Sequence, residues 1–128
     1  MSITTRMILA VLARKAKTFE KSTEDPVKTQ EDLLLDYLSR NKNTEYGRKY
    51  NFDKIKSISD YQKMVPMTDC DILHPYLDRV AKGEKNVLTS ENPVFFGITS
   101  GTTARPKLIP VTKFSKSKKE ELMNLWGY

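Results

Sequence analysis

Between two short apolar runs the chain carries Thr99-Ser100-Gly101-Thr102-Thr103-Ala104-Arg105-Pro106-Lys107. Four hydroxyls and one glycine lead to a lysine that ends the stretch. These residue types suit a phosphate. Hydroxyls and backbone N–H groups donate to anionic oxygens, glycine lets the main chain approach closely, and lysine supplies charge. The spacing is not that of a Walker loop, because no second glycine stands directly before Lys107. It is not G-x-G-x-x-G either, so neither a P-loop NTPase nor a Rossmann dinucleotide site is supported. A Ser/Thr/Gly loop between two strands is also the usual make-up of a plain hairpin turn. Composition alone leaves both readings open.

Other reactive residues offer less. His74 is the single histidine and Cys70 the single cysteine. That excludes a disulfide framework, a four-cysteine zinc site, a Cys2His2 finger and a multi-histidine metal site within the chain. A Ser-His-Asp triad could run only through His74, which reads better as a surface or capping residue. Cys70 lies between Asp69 and Asp71, with no basic neighbour to favour a thiolate. Asp69 and Asp71 resemble a metal pair, but one of them capping a helix is the simpler reading, and no metal site is assigned.

The elements that must position the loop are mostly helical. Ile3 to Lys17 has apolar residues at helical spacing, and Asp25-Pro26 interrupts it. Lys28 to Asn41 places Leu34, Tyr37, Leu38 and Asn41 on one face, with Glu31 and Asp32 in the first turn, where acids favour the helix dipole. Asn43 to Phe52 gathers Tyr46, Tyr50 and Phe52 around Gly47, a short turn that inserts aromatics into a core. A short helix is expected over Ser59 to Val65, capped by Ser59 or Asp60 and stopped by Pro66. Another is expected over Asp69 to Lys82, with Leu73, Leu77 and Val80 on one face and Gly83 as C-cap. Val94 to Ile98 and Lys107 to Val111 read as apolar strands that would normally join a larger sheet and that, without it, leave unpaired edges and exposed apolar surface. Thr112 is placed to cap a final helix, Lys113 to Trp126, with Phe114, Leu122, Leu125 and Trp126 turned inward.

The chain has 128 residues, 38% hydrophobic, enough for one modest core and too apolar for a disordered tail. Lys and Arg outnumber Asp and Glu by 22 to 16, a net charge of +6. That balance permits a small basic module for nucleic acid, but the basic residues are interleaved with acids and no nucleic-acid motif is present. Lys116 and Glu120 sit four apart, the pattern of a solvated helix face. The apolar run Met7 to Ala13 is seven residues long, against about 20 for a membrane span. It meets Arg14, Lys15 and Lys17 rather than a cleavage site. These basic residues and Lys21 could touch a membrane surface; a polar helix face is the preferred reading. The expected location is the cytoplasm, with Cys70 reduced.

The string Thr99 to Lys107 closely resembles the nucleotide phosphate loop of the adenylate-forming superfamily, [ST]-S-G-T-[ST]-G-x-P-K. Ala104 stands where glycine is usual, and Leu108 follows the lysine where glycine is also common. The continuation Leu108-Ile109-Pro110-Val111-Thr112 resembles one branch, the auxin-responsive promoter family of acyl-acid amido synthetases. So do Asn43 to Tyr50, Ile55-Lys56-Ser57, Tyr61, Val65-Pro66, Pro75-Tyr76, Gly83-Glu84 and Phe95-Phe96. The resemblance runs roughly from Leu33 to Thr112.

The resemblance implies an α/β fold: a helical N-terminal part leading into the first strands and phosphate loop of an acyl-CoA synthetase-like fold. It implies ATP with Mg²⁺, a carboxylic acid that is adenylated, and an amino acid whose amine takes the acyl group. By position, Thr99, Ser100, Gly101, Thr102 and Thr103 would contact the phosphates, and Lys107 would offset charge at the β/γ-phosphates or help close the loop. Family members are several times longer, and their downstream motifs are not found here. The expectation is therefore an N-terminal fragment of a larger adenylating domain, mostly helical over 1–92 and strand-loop-strand-helix over 93–128. Its partner would be the remainder of the chain, with no nucleic acid and no stable membrane insertion, and alone it would not catalyse adenylation. An acyl-CoA-forming ligase and a non-catalytic basic binding protein are the alternatives.

Overall fold

The computed structural model describes residues 2–99 and 107–126, with side chains through 123. The described chain is mostly helical with one small sheet, in an order that fits the expected α/β class. It divides into two compact units, Glu31–Lys113 and Met1–Gln30 with Phe114–Tyr128.

Within Glu31–Lys113, the core is built on the C-terminal part of helix α2 (Pro26–Asn41). Leu38, Ile55 and Val65 are buried together, and Leu34, Leu35, Tyr50, Phe52, Tyr61 and Met64 pack against them. Burying one such aliphatic side chain stabilises by about 1.5–3 kcal/mol, so this small cluster sets the unit's stability. Glu31 and Asp32 were expected in the first turn, but α2 starts at Pro26, because Asp25 already caps it through Lys28 N (3.0 Å). Glu31 instead accepts a hydrogen bond from the Ile58 N–H, 3.1 Å away.

Helix α3 (Glu45–Lys49) is capped by Thr44, whose Oγ1 accepts from Gly47 N at 2.9 Å. The same hydroxyl donates to the Asn41 carbonyl at 2.7 Å, tying the end of α2 to the start of α3. Thr44 is fully buried. Gly47 is required by close approach: a Cβ there would lie 2.1 Å from the Asn41 carbonyl oxygen. The expected aromatics converge on Tyr46, whose ring centroid lies 4.7 Å from Tyr50, 6.1 Å from Phe52 and 5.6 Å from Tyr76.

Helix α4 (Ile58–Met64) is capped by Ser57 rather than Ser59 or Asp60. Ser57 Oγ accepts from Asp60 N (3.1 Å), while the Asp60 carboxylate reaches back to Lys56 N (3.1 Å). The two bonds place the cap two residues upstream of Ser59. Helix α5 (Cys70–Ala81) is capped by Asp69 and ends at Gly83, φ +90°, as expected. Gly83 N donates to Val80 O and Glu84 N to Arg79 O, the paired bonds of a Schellman ending. Strands β1 (Phe95–Thr99) and β2 (Lys107–Val111) form a two-stranded antiparallel sheet. They leave apolar surface exposed, as expected of strands that lack a larger sheet: Phe95 is 52% exposed, Ile98 70% and Ile109 50%. Among the described residues only β1 and β2 pair.

In the other unit, α1 (Ile3–Ser22) runs further than expected and is capped by Ser2. The hydroxyl of Thr29 donates to Ser22 O at 2.8 Å, linking the end of α1 to the first turns of α2. Helix α6 spans Lys113–Trp126, as expected. Phe114 is half-buried but Leu122 is exposed, contrary to expectation; the side chains of Leu125 and Trp126 lie outside those described. Lys116 and Glu120 form the expected pair at 3.6 Å. Among the described residues no helix is long and apolar enough to cross a membrane.

Candidate functional site

The β1–β2 hairpin brings the two ends of the hydroxyl-rich stretch together. Its register pairs Phe95 with Val111, Phe96 with Pro110, Gly97 with Ile109, Ile98 with Leu108 and Thr99 with Lys107. Directly opposed residues project on the same face of a sheet, with Cβ atoms about 4.5–5.5 Å apart. Thr99 and Lys107 therefore present a hydroxyl and an ammonium side by side at the loop end of the hairpin. Both are exposed. Ser100, Gly101, Thr102 and Thr103 lie outside the described residues.

The hairpin is secured at its other end. Val94 N donates to Val111 O at 2.8 Å, and β2 packs against α5. Thr112, between β2 and α6, is buried.

α5 is itself fixed by an ionic clasp that sequence reasoning missed. Arg79 donates through Nη1 and Nη2 to the two carboxylate oxygens of Glu45 (3.0 and 2.6 Å). Through Nε it donates to Glu84 Oε2 at 2.8 Å, and through Nη2 to Glu84 Oε1. These hydrogen bonds hold the Glu45 and Glu84 carboxyls below the usual glutamate range, and the two carboxylates raise Arg79 further. Beside them, Glu45 N and Tyr46 N donate to Asn86 O and Val87 O (2.7 and 3.0 Å), docking the segment after α5 onto the start of α3. Asn41 was expected only as part of a helical face, yet its Oδ1 accepts from Ser90 N at 3.0 Å. Glu45, Arg79 and Glu84 look like surface charges in sequence, and 34 residues separate the first two. Only the fold brings them together.

Other polar groups have structural partners. Asp69 is occupied by its cap to Ile72 N (3.1 Å). His74 is buried on α5, its Nε2 4.0 Å from Asp71 Oδ1, which removes it from the surface position expected. Cys70 is half-buried at the start of the same helix. Lys49 Nζ donates to the Tyr76 hydroxyl at 2.9 Å, which pushes the lysine up, and burial pushes the Tyr46 phenol up. A groove of about 240 Å³ lined by Leu35, Leu38, Phe52, Ile55, Lys42 and Lys56 includes none of the loop residues. Among the described residues no group of three His, Cys, Asp or Glu side chains is arranged to hold a metal ion.

Comparison with known proteins adds the remaining findings. A family model described as the GH3 family N-terminal domain matches residues 15–128. The indole-3-acetic acid-amido synthetase GH3.2 of Arabidopsis thaliana is 29% identical over 126 residues, covering 94% of this chain and 23% of the relative. The jasmonoyl–L-amino acid synthetase JAR6 of Nicotiana attenuata is 31% identical over 94 residues, covering 72% and 16%. The solved structure of AtGH3.15 acyl acid amido synthetase in complex with 2,4-DB superposes with a TM-score of 0.76 at 27% identity. That match covers 88% of this chain and 20% of the other. The chain thus spans about a fifth of the length of the proteins it matches.

Proposed function

The chain belongs to the GH3 family, and on that premise we propose that it serves as the N-terminal part of an ATP-dependent acid–amino acid ligase. The observation that carries the reading is the pairing of Thr99 with Lys107 at the loop end of the hairpin. A loop of hydroxyls and a glycine starts from one and ends at the other. That donor set suits the phosphates of ATP, and a sheet fixes both ends of it.

In the proposed reaction a carboxylate oxygen of the acid attacks the α-phosphorus of ATP, and pyrophosphate leaves. The amine of an amino acid then attacks the acyl carbon of the adenylate. AMP leaves with the electrons of the acyl–oxygen bond, and the nitrogen gives up a proton. Thr99, Ser100, Gly101, Thr102 and Thr103 hold the phosphates by hydrogen bonds. Lys107 offsets the charge that collects on the departing pyrophosphate. These roles are positioning and electrostatic stabilisation, the main terms in phosphoryl-group chemistry. Mg²⁺ accompanies the ATP and adds charge stabilisation. The adenine, metal and acyl sites belong to the rest of the ligase, which acts in the cytoplasm.

ATP–pyrophosphate exchange in the full-length ligase, driven by a panel of carboxylic acids, tests adenylation. Adding amino acids or coenzyme A in turn then tests the acceptor. AMP release with an amino acid supports the proposal. Release only with coenzyme A moves the chain to an acyl-CoA-forming ligase, and no exchange with any acid overturns it.

A further inference from the structure

The hairpin that ends in Thr99 and Lys107 is joined to the helices by two routes. One is the packing of β2 against α5. The other is the segment 82–94, which leaves α5 and leads into β1. That segment is pinned along its length. Glu45 N and Tyr46 N, at the start of α3, donate to Asn86 O and Val87 O. Asn86 turns there with a φ of 57°, and Val87 is 1% exposed. Ser90 N donates to Asn41 Oδ1 at the end of α2. Val94 N then donates to Val111 O, where the hairpin begins.

Arg79 connects the two routes. It stands near the end of α5, which closes at Ala81. One side of its guanidinium meets both carboxylate oxygens of Glu45 on α3, at 3.0 and 2.6 Å. The other side meets both oxygens of Glu84, in the segment that feeds β1. Exposed ion pairs add little to stability, and these three side chains are 38–48% exposed. Their consequence is geometric. A planar guanidinium with paired bonds to two carboxylates fixes how the carriers of those carboxylates lie against each other. Here the carriers are α3 and the segment, with α5 between them. We infer that Arg79 is a positioning residue for adenylation: through Glu45 and Glu84 it sets the platform from which the hairpin presents Lys107. The inference rests on the phosphate role of Lys107 proposed above. Lys107 is the first residue of β2 and its side chain is exposed, so the place of its ammonium follows from where the strand lies. A misplacement of about 1 Å can cost about a hundredfold in rate, so a small tilt of the hairpin is enough.

The test is a double-mutant cycle in the full-length ligase, read as the rate of ATP–pyrophosphate exchange at saturating ATP. R79M should lower the rate by about tenfold or more. In the K107M background the same change should alter the remaining rate by no more than about twofold, because the group it positions is gone. E84Q is the second variant, and it decides alone where R79M fails to fold. The Glu84 side chain is 48% exposed, so this variant keeps the fold, and it should show the same pattern with a smaller loss. Losses that multiply independently in the double variants overturn the inference, since they indicate a structural role alone. So does exchange at the parent rate by R79M and E84Q while K107M is impaired; the phosphate reading then stands without it. Exchange at the parent rate by K107M removes the phosphate reading, and the inference falls with it.

Discussion

Thr99 and Lys107 are the last cross-strand pair of the β1–β2 hairpin, so the seven residues between them leave and re-enter the sheet at one point. The hydroxyl and the ammonium share a face. If that face receives the ATP phosphates, T99V removes one hydrogen bond to a charged oxygen, worth about 1.5–3 kcal/mol. The KM for ATP of the full-length ligase should rise by about tenfold or more. Steady-state kinetics at varied ATP check this; an unchanged KM restricts Thr99 to its strand.

Gly47 and Gly83 are needed for different reasons, and substitution separates them. A Cβ at Gly47 meets the Asn41 carbonyl at 2.1 Å, whereas Gly83 has open space around it and a φ of +90°. G47A should lower stability by about 1–3 kcal/mol, the usual range for an overpacked site, and G47N should be no better. At Gly83, Asn should cost less than Ala, because Asn tolerates left-handed backbone. Urea unfolding of the four variants checks the contrast.

The Arg79 clasp makes stability depend on pH in the acid range. Glu45 and Glu84 are held below their ordinary range by Arg79. A depressed carboxyl contributes stability that is fully present above its unfolded pKa, about 4.3. The contribution is lost as pH falls through the folded value. The midpoint of urea unfolding should therefore drop below about pH 4.3. E45Q/E84Q should be less stable at neutral pH and flatter across the acid range. Identical pH profiles for the two proteins would leave the clasp without energetic weight.

Among the described residues the hairpin exposes three large apolar strand residues, Phe95, Ile98 and Ile109. Among the described residues the outer edges of β1 and β2 have no strand partner, which makes them a template for strand addition. F95T/I98T should stay monomeric at higher concentration than the parent chain. Light scattering during concentration measures this, and equal onset for both would place the association surface elsewhere.

Much of the local structure was legible in the residues. Lys107–Val111 and Lys113–Trp126 have the expected bounds, because Pro106 precedes the strand, Thr112 separates strand from helix and Gly127 follows the helix in sequence. The Asp69 cap and the Gly83 ending were also legible, being signals within one helix. The Ser57 cap was not, because Asp60 reaches back to Lys56 and displaces the start. The Asn41–Ser90 and Arg79–Glu45 contacts join residues 49 and 34 positions apart. No local pattern encodes them. For the candidate site, residue types named the loop and the register supplied the placement of its ends.

The most direct test is ATP–pyrophosphate exchange by the full-length ligase with K107M. Methionine keeps the unbranched apolar stem, one atom shorter, and removes the charge. The prediction is a loss of about a hundredfold or more in exchange rate, the scale of removing one stabilising donor at a developing charge, with the unfolding midpoint unchanged. Exchange within twofold of the parent would contradict the phosphate role of this loop.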